Sequence, residues 1–375
     1  MAKITIRDKT IRSDGDAPYV IAEIGCNHDG DFGKALTMIK TAADCGVDAV
    51  KFQKRSPQKM FTPEALAAPY DSPNAHGATY GEHRQALDWF GWSEFLKISE
   101  CCFDNNVAFI CTPFTSFDAE FLAHPDLELD AFKIASCDLT NVPLIRQVSG
   151  YGLPVIISTG GGAQKDILDA ADAVTGLDGL VAVLHCVSVY PNSDDDLNLS
   201  KLATLSGMSG PHGVCGFCEH EFSGNHQFVI GFSSHHPGLL PHYIAYMQGA
   251  RIFEAHFTLN RGGKGTDHGF SLEPAGMRQL CEDLRRIPRM LGNANRRLTH
   301  AEVNGFVKKM GKSIYASKDI PSGDLITTDN VELRSPAEGL PPYLLDGIIG
   351  CRVTRSITAG NALYAGDIAE GPADG

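Results

Sequence analysis

The chain has 375 residues, of which 43% are hydrophobic and 21% charged, the proportions of a folded globular protein. Its 32 Lys and Arg face 45 Asp and Glu, and a net charge of −13 argues against nucleic acid, whose phosphates need a basic face. No basic-then-apolar leader and no apolar run of membrane-spanning length is seen, and 11 scattered cysteines suggest reduced, mostly buried thiols. The expectation is a cytoplasmic protein with no nucleic-acid or membrane partner.

Eight short apolar runs follow in order: YVIAEIG (19–25), AVKFQ (49–53), VAFICTPF (107–114), AFKIAS (131–136), PVIISTG (154–160), LVAVLHC (180–186), FVIGFSS (228–234) and RIFEAHFT (251–258). Each has strand length, is rich in Val, Ile and Phe, and does not alternate with polar residues. Parallel strands covered on both faces read this way. Amphipathic segments separate them. GKALTMIKTAADCG (33–46) sets Leu36, Ile39 and Ala43 on one helical face and stops at Gly46. Eight strands alternating with helices predict an α/β fold, a TIM (β/α)8 barrel, over residues 1–285. A basic linker follows at 286–306, then a compact, small β-rich domain at 307–370 with short strands, Gly turns and little helix. Segment 206–227 is Gly-rich and carries Cys215-x2-Cys218, His220 and His226. The spacing suits a structural Zn2+ site, against the plainer reading of a surface loop with incidental thiols.

Barrel active sites lie at the C-terminal strand ends, and here every strand ends in polar groups. One lysine in an apolar strand is as readily a paired structural charge as a functional one. Lys51 and Lys133 at equivalent ends of two strands are harder to explain so, because each buried ammonium costs several kcal/mol without a counter-charge. With the hydroxyls of Thr112, Ser136, Ser158 and Ser233 they suit a phosphate or a carboxylate. His235 and His256 close neighbouring strands and suit a divalent metal such as Mn2+ or Zn2+, with Glu23 and Asp267 adding oxygen directly or through water.

AEIGCNHDGD, AVKFQ, TYGEHR, CTPF, FKIAS, PVIISTG, LHCVSVYP, DLNLSKL, EAHFTL and GTDHGFSLEP stand in the order found in the N-acetylneuraminate (sialic acid) synthase family, which this chain resembles along nearly its whole length. KSIYASKDIPSGDLI and LRSPAEGLPP resemble that family's C-terminal SAF (antifreeze-like, β-clip) domain. The resemblance implies condensation of phosphoenolpyruvate with an N-acetylmannosamine-type aldose to a sialic acid-like nonulosonic acid and phosphate. Lys51, Lys133, Thr112, Ser136, Ser158 and Ser233 match the positions holding phosphoenolpyruvate. His235 and His256 match the metal ligands, for Mn2+ foremost, with Zn2+, Mg2+ or Co2+ as alternatives. Glu23, Gln53, Tyr190 and Asp267 match positions around the sugar and the metal-bound water, and Glu23 is expected to handle a proton. Arg334 resembles the arginine that a SAF domain extends into the site of a second subunit, which implies a domain-swapped homodimer.

The chain also departs from the family. GFSSHHPG replaces the usual G-Y-S-D-H-T-x-G, so Ser234 stands for an aspartate expected to support the metal site, and His236 stands for a threonine. Ala255 replaces a common lysine, Asp138 a glutamate of some members, and Ser188 an asparagine; STGGG replaces STGM. Several of these changes fall on the sugar side. Alternative readings follow: the same chemistry on a different aldose, giving another 3-deoxy-2-ketulosonate, or a non-catalytic sugar-binding paralogue.

Overall fold

The structure is a computed structural model, describing residues 2–174, 181–208, 228–292 and 298–369. The Cys215 and Cys218 zinc expectation lies outside the described residues. The chain divides into two compact units at Leu291/Gly292.

The first unit opens with an antiparallel hairpin, β1 (Lys3–Ile6) and β2 (Lys9–Arg12). Eight parallel strands then close a barrel: β3 (Tyr19–Glu23), β4 (Ala49–Lys54), β5 (Ala108–Pro113), β6 (Ala131–Ile134), β7 (Val155–Ser158), β8 (Val181–Cys186), β9 (Val229–Ser234) and β10 (Ile252–His256), with β10 paired to β3. All eight coincide with the apolar runs of the sequence.

Parity along each strand decides what the barrel does. Successive side chains point to opposite faces. One set, including Val20, Val50, Phe109, Phe132, Val155, Val183, Ile230 and Phe253, packs outward under the helices. The other set, including Ile21, Ala49, Ile110, Ala131, Ile156, Leu184, Val229 and Ile252, fills the barrel together with Ile4, Ile6 and Ile11 of the hairpin. Both faces are apolar, so the strands read as unbroken hydrophobic runs. Extending the inward set toward the strand ends reaches Glu23, Lys51, Thr112, Lys133, Ser158, Cys186, Ser233 and Glu254. The barrel is apolar below and ionic at its C-terminal mouth.

The surrounding helices are set by local signals. Asp31 caps helix Phe32–Asp44 by accepting from the Lys34 N–H, and Gly46, at φ +87°, ends it in a conformation glycine adopts without a Cβ clash. Its buried face is Ala35, Met38, Ile39 and Ala42, with Leu36 and Ala43 at the margin. The expected face is therefore rotated by about one residue. Helix Pro274–Leu291 carries on through the first part of the segment expected as linker, because the stripe Met277, Leu280, Cys281, Leu284 continues to Ile287.

The second unit begins with two one-turn helices, His300–Asn304 inside the expected linker and Phe306–Met310 at the start of the expected β-rich domain. Strands β11 (Ser313–Ala316) and β12 (Val331–Arg334) pair antiparallel, and isolated bridges join the later turns. Ile314, Ala316, Ile320, Ile326, Val331, Leu340, Val353, Ile357 and Leu363 give this unit its own core.

Candidate active site

A cavity of about 770 Å³ opens at the C-terminal mouth of the barrel. Its lining includes Glu23, Lys51, Gln53, Thr112, Lys133, Ser136, Ser158, Ser188, Tyr190, Ser233, His235, His256 and Asp267. Two expected residues are not among them. The Asp138 carboxylate turns aside to accept from Asn141 Nδ2 at 2.9 Å, in the short turn after β6. Arg334 belongs to the second unit, where its exposed guanidinium pairs with Glu332 at 2.9 Å.

The floor of the cavity is an ion-pair network. Lys51 Nζ is in close contact with Glu23 Oε2 and lies 3.7 Å from Glu254 Oε1 and 3.5 Å from Thr112 Oγ1. The Glu23 contact is an ion pair without hydrogen-bond alignment, since that oxygen has no hydrogen-bond partner. Gln53 Nε2 donates to Glu23 Oε1 at 2.6 Å and fixes the carboxylate. Lys133 Nζ donates to Ser158 Oγ at 2.5 Å and lies 3.9 Å from Glu254 Oε2. Ser233 Oγ donates to Glu254 Oε1 at 3.0 Å. Glu254 thus bridges the two lysines, a role sequence reasoning missed. The usable signal was parity, since Glu254 is two residues before His256 on the same inward face. Lys54 shows the opposite case. It faces outward, its ammonium 4.8 Å from the Phe121 ring and donating to the Phe90 carbonyl, and it is structural.

Burial pulls both ammonium groups toward the neutral form, and their neighbours decide the outcome. For Lys51 the Glu23 and Glu254 charges outweigh burial and hold the group above its ordinary value. For Lys133 burial wins, helped by the Lys51 charge and resisted by Glu254, and the group sits below its ordinary value. Burial would raise Glu254, but Lys133, Lys51 and His256 together hold it well below the usual carboxylate range.

At the adjoining wall the His235 and His256 rings meet edge to face, with centroids 5.3 Å apart. Burial first, and the neighbouring His256 second, lower His235 to about 4, so its ring is neutral at physiological pH. His235 Nδ1 donates to the Val187 carbonyl at 2.8 Å, which makes Nε2 the lone-pair nitrogen, with the Cys186 thiol 4.0 Å from it. Tyr190 stacks on the same ring at 3.9 Å. His256 Nδ1 is buried without a hydrogen-bond partner, and Asp267 Oδ2 lies 3.6 Å from it. Two imidazoles, an orphaned ring nitrogen and a nearby carboxylate fit a divalent cation. Among the described residues no three His, Cys, Asp or Glu side chains converge on one point, so water or substrate oxygens would complete the shell.

The departures acquire places. Ser234 does not line the cavity; its hydroxyl accepts from the His236 N–H at 3.2 Å. His236 turns away from the metal wall, accepting from the Gly238 N–H at 2.9 Å and facing Asp194 at 3.0 Å. Asn192, buried after β8, takes up the support of His235. Its Oδ1 accepts from the His235 N–H at 3.3 Å, and its Nδ2 donates to the Val187 carbonyl at 3.3 Å. Ala255 faces the helices. Gly161 has φ +76°, a conformation strained for a side-chain-bearing residue.

The NeuB family model matches residues 38–296 and a SAF domain model matches 311–369. The chain is 30% identical to N-acetylneuraminate-9-phosphate synthase of Homo sapiens over 340 residues, 90% of this chain and 89% of that one. It is 30% identical to N,N'-diacetyllegionaminic acid synthase of Legionella pneumophila over 353 residues, covering 92% and 93%. The crystal structure of N-acetylneuraminic acid synthetase from Leptospira borgpetersenii, in complex with citrate, aligns with a TM-score of 0.66 at 30% identity, over 80% of this chain and 94% of that one. Those relatives are synthases of nonulosonic acids. With a family match spanning most of a closed eight-stranded barrel and a second match on the unit that follows it, the chain belongs to the NeuB family and carries a C-terminal SAF domain.

Proposed function

We propose that the protein condenses phosphoenolpyruvate with an N-acetylmannosamine-type aldose to form a sialic acid-like nonulosonic acid and phosphate. The observation that carries this reading is the pairing of two buried lysines, ringed by the hydroxyls of Thr112, Ser158 and Ser233, with two imidazoles on the adjacent strands of one cavity. Lys51 and Lys133 take the phosphate and carboxylate of phosphoenolpyruvate, exchanging contacts with Glu23 and Glu254 for contacts with the substrate anion. His235 and His256, with Asp267 and Glu23 directly or through water, would hold a divalent cation, Mn2+ foremost, whose chemistry is Lewis-acid polarisation of the acceptor aldehyde.

C3 of phosphoenolpyruvate forms the new bond to the aldehyde carbon, and the carbonyl oxygen gains a proton. Water adds at C2, and the C2–O bond to phosphate breaks. Glu23, oriented by Gln53, moves the proton between water and the sugar oxygen. Tyr190 and Ser188 line the acceptor side. Arg334 completes the site of a second subunit in a domain-swapped homodimer.

Phosphate release from phosphoenolpyruvate with Mn2+, across aldoses that include N-acetylmannosamine, tests this. Release that depends on a 2-acetamido hexose is expected. Release only with an unsubstituted aldose would move the assignment to another 3-deoxy-2-ketulosonate. Phosphoenolpyruvate binding without release for any sugar would favour a non-catalytic protein.

A further inference from the structure

The turn that follows β10 is seated on a buried histidine that lies outside the cavity. Thr266 and Asp267, in that turn, line the cavity, and Asp267 Oδ2 faces His256 Nδ1 at 3.6 Å. Thr266 Oγ1 donates to Asp267 Oδ1 at 2.8 Å. Phe270, at the end of the turn, meets the His256 ring edge to face, with centroids 5.0 Å apart, and the His235 ring at 5.9 Å. The turn therefore touches both imidazoles of the metal wall. His268, between these residues, serves a different set of contacts. It does not line the cavity and is 1% exposed. Its Nε2 donates to the Asp29 carboxylate at 3.0 Å, and its Nδ1 lies 2.8 Å from Thr258 Oγ1. Asp29 stands in the turn after β3, at φ +55°, and is also in close contact with Lys34 Nζ.

Two glycines show how closely the chain is laid on that ring. A Cβ at Gly265 would lie 2.7 Å from His268 Cδ2 and 3.3 Å from Asp29 Oδ1, and one at Gly263 would lie 3.1 Å from the ring. The segment passes over His268 without side chains because the ring occupies their space. A second strut comes from the same turn after β3. Buried Asn27 donates from Nδ2 to the Phe257 carbonyl at 2.9 Å and to Ser271 Oγ at 2.8 Å, and Ser271 Oγ donates to the Asp267 carbonyl at 2.6 Å. A buried polar network satisfied in this way rigidifies what it joins. We infer that His268, carried by Asp29 and Thr258, is a positioning residue for the metal wall: it is the pedestal that sets Asp267 and Phe270 against His256 and His235. The inference rests on the divalent cation proposed above and adds to it how that wall is held in place.

The test is calorimetric Mn2+ titration of the full chain, which needs no turnover, for wild type, Asp29→Ala, Asp29→Asn, Gly265→Ala and Gly269→Ala, with Tm for each. Asp29→Ala removes the acceptor beneath His268, and Gly265→Ala drives a methyl group into the ring. Each should weaken Mn2+ binding by about tenfold or more, as losses behind a metal site do. Asp29→Asn keeps an acceptor oxygen and tolerates the left-handed backbone, so it should recover most of the affinity. Gly269→Ala is the control in the same turn: a Cβ there meets nothing within 4 Å, and affinity should be unchanged. A lower Tm with unchanged Mn2+ affinity in Asp29→Ala and Gly265→Ala makes the network structural only, which overturns the inference and leaves the metal reading standing. Equal weakening in Gly269→Ala, or no recovery in Asp29→Asn, overturns it as well. A wild type that binds no Mn2+ removes the metal reading itself, and the positioning role with it. If Asp29→Ala does not fold, Gly265→Ala against Gly269→Ala decides by the same criteria.

Discussion

Lys51 and Lys133 differ in what they cost the fold. Lys51 is held charged by two carboxylates, and removing it takes the ion-pair partner from buried Glu23 and leaves Glu254 paired with Lys133. Breaking a buried pair in this way costs about 3–5 kcal/mol. Lys51→Met should therefore lower Tm by on the order of 10 °C as well as abolish phosphate release. Lys133 is depressed by burial, so at neutral pH it costs stability that is relieved as pH climbs through its folded value toward 10.5. Lys133→Met should abolish release with no fall in Tm. A matched loss of Tm in both variants, read by calorimetry, would contradict this division. Glu254 works in the opposite sense. Its depressed carboxyl contributes stability that is complete above the ordinary value of 4.5 and fades as pH falls toward 2. Between those limits the wild type should lose stability with acid more steeply than Glu254→Gln, measured by urea unfolding at stepped pH.

The segment between β8 and β9 shows how one element replaces a missing charge. Where the family places an aspartate, Ser234 ends β9 facing away from the cavity and holds only the turn. His235 is instead fixed from the β8 side, through Asn192 and the Val187 carbonyl. Asn192 touches neither substrate nor metal in this account and is a positioning residue. Asn192→Ala should weaken Mn2+ binding by about 10–100-fold, as losses behind a ligating histidine do. Calorimetric Mn2+ titration reads this without turnover, and unchanged affinity would show that His235 is held by the Val187 carbonyl alone. His236 neither lines the cavity nor stands free in solvent. It is mostly buried and serves its own turn and Asp194.

For the whole molecule, the proposal to be tested is the one that joins the second unit to the barrel site. The proposal that Arg334 acts across a homodimer has a test that leaves both units in the chain. Arg334→Ala and Lys133→Met should each be inactive alone. Mixed in equal amounts and allowed to exchange subunits, they should recover up to about a quarter of wild-type activity, because half the dimers are then hybrid and one of the two sites in each has both residues. No recovery despite exchange, seen by native mass spectrometry, would place Arg334 in cis, and an active Arg334→Ala would place it outside the site. No helix among the described residues is long and apolar enough to cross a membrane.

Much of this protein is legible in the chain, for reasons that are local. A strand covered on both faces must be apolar at every position, so the eight barrel strands stand out as unbroken runs. The same runs end in Glu, Lys, Thr, Ser and His only where the barrel opens, so parity and strand order name most of the cavity. The residues that escaped are those whose partners are distant in sequence. Glu254 matters because the closed barrel brings β4 and β6 to within 4 Å of it, and nothing near residue 254 announces two lysines. Arg84, on a helix between β4 and β5, reaches the rim only through the fold and meets Cys26 across 58 residues of sequence. Asp138 looked equivalent to its neighbours at a strand end, yet one turn of 3-10 helix aims it at Asn141. Sequence by itself determined the fold, the family and the inward-facing ends of the strands, because periodicity and motif order are properties of the chain. Which charges neutralise one another, and which are left for a substrate, was decided only by tertiary structure, because burial and pairing depend on distances the chain acquires when the barrel closes.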